Sequence, residues 1–158
     1  MSLNDWILAL HLLAAFSLVA AEVAFSIMIA ALWRTDSTER VTSFMTISRV
    51  ATVLVIVGSL GTIVFGVWLA ISKDPYNLWD FWVIAAIVLW ALTAYVGQQA
   101  GNIYGNVAME AERLAKAGTP TSPAVAETFG QSRAFWFHVA ATVLVILILI
   151  DMIWKPGA

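Results

Sequence analysis

Four apolar runs, each long enough to cross a lipid bilayer, decide what this chain can fold into. They cover about residues 6–33, 50–71, 78–101 and 134–154. A transmembrane helix needs ~20 mostly apolar residues, because each residue advances the helix only ~1.5 Å against a hydrocarbon core of ~30 Å. In hydrocarbon a helix satisfies its backbone N–H and C=O groups within its own segment, so runs of this length become helices. Composition agrees: 61% of residues are hydrophobic and 11% charged, against about 25% charged in a soluble domain. The expected fold is all-α. It is an integral membrane four-helix bundle, up-down-up-down, one domain over residues 1–158, with helices 2–4 extending into the cytoplasm.

The polar punctuation sets the boundaries. The first run, Trp6 to Trp33, measures ~40 Å as a helix, carries tryptophan at both interfacial ends and stops at Arg34. It follows Asp5 rather than a basic stretch and outruns the apolar core of a signal peptide, so it is expected to stay in the protein. Asp36 and Glu39 read as a capping pair for helix 2, whose first turns, Val41 to Arg49, stand out of the membrane. The short link Ser72-Lys73-Asp74-Pro75-Tyr76 makes helices 2 and 3 an antiparallel hairpin. Asn77 is the expected N-cap of helix 3, whose pattern runs past its apolar part to Gly118; Ser122-Pro123 starts the next helical stretch, and Pro156-Gly157 ends the last.

Charge sets the orientation. The stretches after helices 1 and 3 hold Arg34, Arg40, Arg49, Arg113, Lys116 and Arg133, whereas the other side holds only Lys73 and Lys155. The positive-inside rule places the richer side in the cytoplasm of a bacterial inner membrane, with both termini extracytoplasmic. The net charge of −2 leaves nucleic acid without an electrostatic footprint. The absence of cysteine excludes disulfides, thiolate metal sites and thiol nucleophiles. No phosphate loop, helical metal-ligand pair or convergent Ser-His-Asp set appears, and whether the chain is an enzyme stays open. Gly97, Gly101 and Gly105 form one stripe of helix 3. Small residues at that spacing let helix backbones approach closely, either against helix 2 or 4 of the same chain or as the seam of a homodimer or larger membrane complex.

Ionisable groups within the apolar runs are costly, and four stand out: His11, Glu22, His138 and Asp151. His11 lies ~7 Å below the outer interface and Glu22 ~24 Å, counting from Trp6. His138, sixteen residues before Trp154 on a helix running the other way, lies at the depth of Glu22. His11 and Glu22 share a face of helix 1, and His138 and Met152 share a face of helix 4, with Asp151 pointing elsewhere. If helices 1 and 4 touch, Glu22 meets His138 at an inner level and His11 meets Met152 at an outer one. The inner pair is a structural hydrogen bond, or a proton relay or cation site. His11 is either an interfacial histidine bonded to Asp151 or an axial ligand of haem b. Met152 is then the second ligand, Gly66 leaves room for the macrocycle, and Trp68 and Trp82 pack on it. Trp90, alone in mid-membrane, is expected to line a pocket, and Gln98, Gln99, Asn102 and Asn106 to reach water near the cytoplasmic end of helix 3.

The segment Leu8-Ala9-Leu10-His11-Leu12-Leu13-Ala14-Ala15, the close of helix 2 at Gly66-Val67-Trp68-Leu69-Ala70 and the ending Asp151-Met152-Ile153-Trp154-Lys155-Pro156-Gly157 resemble a small bacterial four-helix predicted integral membrane family of unknown function. Its looser relatives are the copper-resistance D membrane domain and the HemJ-type protoporphyrinogen oxidase. In the latter the helix 1 histidine ligates haem, and the resemblance lays that role on His11. Those enzymes also use a lysine in a later helix, and no lysine lies within these apolar runs. Ala21-Glu22-Val23 is similar to the glutamate motif of small multidrug resistance transporters. The first expectation is therefore a haem- or redox-associated membrane protein: a b-type haem-binding bundle, or the membrane anchor of an electron-transfer complex, exchanging electrons with a quinone or an extracytoplasmic partner. The alternatives are a proton-coupled small transporter or channel-like dimer centred on Glu22, and a structural subunit without a site.

Overall fold

In a computed structural model that describes residues 2–72, 76–130 and 132–156, the chain is helical along most of its length. Lys73, Asp74, Pro75 and Gly157, to which the sequence assigns a hairpin link and a helix stop, lie outside the described residues. Helix α1 (Leu3–Ala31) opens with a reciprocal capping box, the Ser2 hydroxyl accepting the Asp5 N–H at 3.2 Å and the Asp5 carboxylate accepting the Ser2 N–H at 2.7 Å. Past its end Arg34 turns the chain in a left-handed conformation, φ 57°.

The expected second helix is two. Helix α2 (Thr38–Ser43) breaks at Phe44, and α3 (Met45–Ser72) crosses the apolar region. The cap of α2 is Ser37, whose hydroxyl accepts the Arg40 N–H at 3.2 Å, rather than the Asp36–Glu39 pair. Asp36 is held otherwise: its carbonyl accepts the Ser122 N–H at 2.8 Å. Helix α4 (Phe81–Lys116) starts four residues beyond the expected cap, because Asn77–Asp80 close a turn in which the Asp80 carboxylate accepts the Asn77 N–H at 2.9 Å. It ends where the sequence places the stop. Gly118, at φ 76°, donates to the Ala115 carbonyl and Thr119 donates to the Leu114 carbonyl, both at 3.0 Å, which is the Schellman arrangement. Helix α5 (Pro123–Phe129) carries proline in its first turn, and α6 (Ser132–Trp154) completes the chain.

Four stretches are long and apolar enough to cross a membrane: Leu3–Ala31, Met45–Ser72, Phe81–Lys116 and Pro123–Trp154. They pack as two antiparallel pairs, α1 on α3 and α4 on α6. In the first pair the register runs from Asn4, whose side-chain amide donates to the Ser72 carbonyl at 3.1 Å, through His11 at Gly66 and Ala14 at Gly61, to Leu18 at Gly58. Between pairs the contacts are few. Trp90, expected to line a pocket, instead ties α4 to α3 by donating to the Ser59 hydroxyl at 2.9 Å. Large apolar side chains such as Leu13, Phe16, Ile27, Val57 and Ile153 stand more than half exposed, as flanks bathed in lipid require.

One end is built differently. There Leu32, Val41, Ala111, Val125 and Phe129 form a buried cluster that joins the end of α1 to α2, α4 and α5. The stretches on either side of it are stitched together. Ser37 and Thr121 form a bridge, Thr38 donates its N–H to the Pro120 carbonyl at 3.0 Å, and its hydroxyl donates to the Thr119 carbonyl at 2.7 Å. The Gly97–Gly101–Gly105 stripe of α4 is not used within the chain: a Cβ added at any of the three meets nothing within 4 Å.

Candidate functional site

The polar groups gather where α1 meets α6. Glu22 Oε1 lies 3.5 Å from His138 Nδ1, with the two side chains 16% and 11% exposed in a part of the bundle otherwise walled by apolar residues. Two hydroxyls one helical turn further along complete the set. Ser26 donates to the Glu22 backbone carbonyl at 2.9 Å and lies 2.9 Å from His138 Nε2; Thr142 reaches Glu22 Oε1 at 2.5 Å and the His138 carbonyl at 3.1 Å.

The hydrogen bonds limit where the protons can sit. A serine hydroxyl has one hydrogen, so Ser26 either donates to the Glu22 carbonyl and accepts from a protonated His138 Nε2, or donates to Nε2. Nδ1 faces the Glu22 carboxyl across 3.5 Å. An imidazolium beside a carboxylate, or a neutral imidazole beside a protonated carboxyl, is electrically neutral as a pair, and neutrality favours burial in hydrocarbon. The Thr142 hydroxyl, with one hydrogen and two acceptors, can donate to the carboxylate in the first state and turn to the His138 carbonyl in the second.

Beside the pair a groove of about 650 Å³ opens between α1 and α6. Ser26, His138 and Thr142 supply its polar wall and Ile29, Val139 and Val143 its apolar one. Trp33 and Phe135, edge to face at 5.2 Å, stand toward the α1 C-terminus.

The level of His11 is arranged otherwise. His11 Nδ1 lies 3.1 Å from the Thr62 carbonyl on α3; because a carbonyl only accepts, Nδ1 carries the proton and Nε2 keeps the lone pair. Gly66 lies directly against this ring: a Cβ there would sit 3.0 Å from Cε1 and 3.3 Å from Nδ1. The space glycine leaves is thus filled by the imidazole, where the sequence suggests a macrocycle. Met152 packs against Ala70, Trp82 and Val83 with Tyr76. Trp82 is buried in that cluster, and Trp68 is 48% exposed. Asp151 is 7% exposed, and its Oδ2 has no hydrogen-bond partner among the described residues, so the expected bond to His11 is not formed. No three His, Asp or Glu side chains among the described residues are grouped to hold a bare metal ion.

Glu22 and His138 are therefore brought together, while His11 and Met152 stand in separate surroundings. Ser26 and Thr142 went unnoticed in the sequence. Each lies four residues after a group singled out there, on the same helix face, and that spacing is the signal that finds them.

Fold and site define a helical, multi-pass integral membrane protein with a buried acid–imidazole pair. The chain belongs to the family described as "Predicted integral membrane protein (DUF2269)", whose pattern matches residues 5–156. No curated protein and no solved structure matches it.

Proposed function

We propose that this protein handles protons within the membrane, with the Glu22–His138 pair as the proton-binding element of a small proton-coupled transporter or channel-like assembly. The observation that carries the reading is the pairing itself: the Glu22 carboxyl faces His138 Nδ1 across 3.5 Å, with the Ser26 hydroxyl at 2.9 Å from Nε2. The Thr142 hydroxyl can follow a proton moving between the pair by turning between Glu22 Oε1 and the His138 carbonyl. The adjoining groove has His138, Ser26 and Thr142 in its wall and so would give a solute access to the imidazole from one side. The test is infrared difference spectroscopy across a pH titration in proteoliposomes. A protonated-carboxyl band should appear and vanish with pH in the wild type and be missing in Glu22→Gln, and an imposed proton gradient should dissipate more slowly in the variant. A wild type without such a band, and with leak equal to the variant's, sinks the reading.

The protein on this reading is a single up-down-up-down domain in a bacterial inner membrane, with the six-cation end, and the buried cluster beside it, in the cytoplasm. Single cysteines at Ser2 should react with an impermeant reagent on intact cells and those at Gly118 should not; the converse pattern inverts the orientation.

A second reading keeps haem b on His11, with Met152 as further ligand and a quinone or larger complex as redox partner, after the looser likeness of Leu8–Ala15 to the HemJ-type and copper-resistance D proteins. The observation in its favour is the Nδ1–H bond to the Thr62 carbonyl, because iron-bound histidines hold the ring this way and bind through Nε2. Met152 would have to leave its cluster with Ala70, Trp82 and Val83 to join it. Protein from haem-replete cells then shows a Soret band that His11→Ala abolishes, and colourless wild-type protein eliminates the reading.

A further inference from the structure

The lipid-facing side of α4 carries groups that lipid cannot satisfy. Tyr95, Gln98, Asn102 and Asn106 are all exposed along this helix, beside the unfilled surface of Gly101 and Gly105. The sequence leads one to expect the carboxamides in water at the cytoplasmic end, but α4 continues unbroken to Lys116, and its buried contacts with the α1 end involve Tyr104, Val107, Ala108 and Ala111. Gln98 therefore lies well inside that level. It is sixteen residues from Trp82, the same count that separates Glu22 from Trp6, and so ~24 Å in from the outer interface, with Asn102 at the inner edge of the ~30 Å core and Asn106 past it, in reach of water. The one bond these side chains make to each other, Gln98 Nε2 to Asn102 Oδ1 at 3.1 Å, uses neither the Gln98 side-chain carbonyl nor the Asn102 amide hydrogens.

Polar groups at that depth need a partner, and an amide in hydrocarbon finds it on another helix. We propose that the partner is a second copy of this chain, seated α4 against α4. Three features select a copy over an unrelated protein. A carboxamide carries donors and an acceptor together, so a row of them complements itself. Between Tyr95 and Asn106 the helix holds no Asp, Glu, Lys, Arg or His to repel its twin. The open glycine surface lets two identical helices come close enough for short side chains to bond across the gap. Copies inserted with one orientation are related by a two-fold axis along the membrane normal, so the α4 helices run parallel and each residue faces itself: Gln98 to Gln98, Asn102 to Asn102. The inference does not depend on the proton site, which lies on α1 and α6.

The absence of native cysteine makes the test direct. Single cysteines at Tyr95 and Asn102 should form disulfide-linked dimers in native membranes with an oxidant, and one at Val143, on the lipid-facing side of α6 at 49% exposure, should not. In single-molecule photobleaching of labelled protein in liposomes, the wild type should bleach in two steps, and Gln98→Leu/Asn102→Leu should shift the population mainly to one step. These side chains are exposed in the single chain, so the variant should elute and melt as a folded monomer. One-step bleaching of the wild type at every protein-to-lipid ratio overturns the proposal. So does two-step bleaching with cross-linking at Val143 but not at Asn102, which would place the dimer on another face. Cross-linking of Asn102 only to a foreign protein would identify a different occupant and overturn it as well.

Discussion

Two helix faces in this molecule carry three glycines each, and they are used in opposite ways. On α3, Gly58, Gly61 and Gly66 lie under α1. A Cβ at Gly58 would come within 2.8 Å of both the Ala14 carbonyl oxygen and the Leu18 nitrogen, and one at Gly61 within 2.8 Å of the Ala14 Cβ. On α4, Gly97, Gly101 and Gly105 meet nothing within 4 Å, although their regular spacing of four is the one that draws the eye in the sequence. Spacing marks a capacity for close approach; what occupies the surface depends on the residues around it. Gly58 and Gly61 face small residues of α1, Ala14 being 7% exposed, and their seam closes within the chain. The α4 glycines are flanked by Gln98, Asn102 and Asn106, whose amides an apolar neighbour within the chain would leave unpaired.

The comparison breaks first at Gly58. Gly58→Ala puts a methyl group against backbone atoms that cannot move unless α1 and α3 separate, and overpacking of that kind costs about 3 kcal/mol. The expected result is a drop in thermal midpoint in detergent of several degrees or loss of a monodisperse protein. An unchanged midpoint would mean that the two helices are not in this register.

Helix α1 also borders the polar seam, and the second effect is smaller. Glu22→Gln and His138→Leu should each cost about 1–3 kcal/mol, because each leaves hydroxyl or imidazole partners poorly matched. The double variant should lose less than the sum, the shortfall being the coupling between them. Additive losses would show that the 3.5 Å contact carries no energy. Gly66→Ala comes next. Its new methyl meets the His11 ring, a side chain that can turn aside, so the cost is about 1 kcal/mol, roughly that of the lost bond to the Thr62 carbonyl. With only two histidines in the chain, the His11 imidazole resonance is open to assignment by comparison with His138→Leu, and it should move in Gly66→Ala.

How far the sequence foretells this follows from what each feature depends on. Span number is local, set by runs of apolar residues, and the Gly118 stop is local too, needing only a residue tolerant of φ 76°. The equal depth of Glu22 and His138 is arithmetic on helical rise, which is why their meeting could be anticipated once α1 and α6 were allowed to touch. What depends on side-chain orientation between helices was not legible. His11 and Met152 share a depth but not a neighbour, since level fixes one coordinate and helix rotation the other. The Ser37–Thr121 bridge and the bond from the Ser122 N–H to the Asp36 carbonyl join residues more than eighty positions apart, which no local pattern registers.

The smallest expected effect lies on the open stripe, and it sharpens the contrast most. Gly101→Ala adds a methyl group that touches nothing in the single chain and replaces a residue that, after proline, is the least suited to a helix interior, a change that favours the helix by about 1 kcal/mol or less. In detergent, where copies are dispersed, the thermal midpoint should therefore hold or rise slightly, the reverse of Gly58→Ala. In a bilayer the same methyl group would stand between two α4 helices and push them apart, so the two-step bleaching fraction should fall while the melting temperature does not. A fall in both would mean that Gly101 packs within the chain after all, and the distinction between the two glycine faces would be lost.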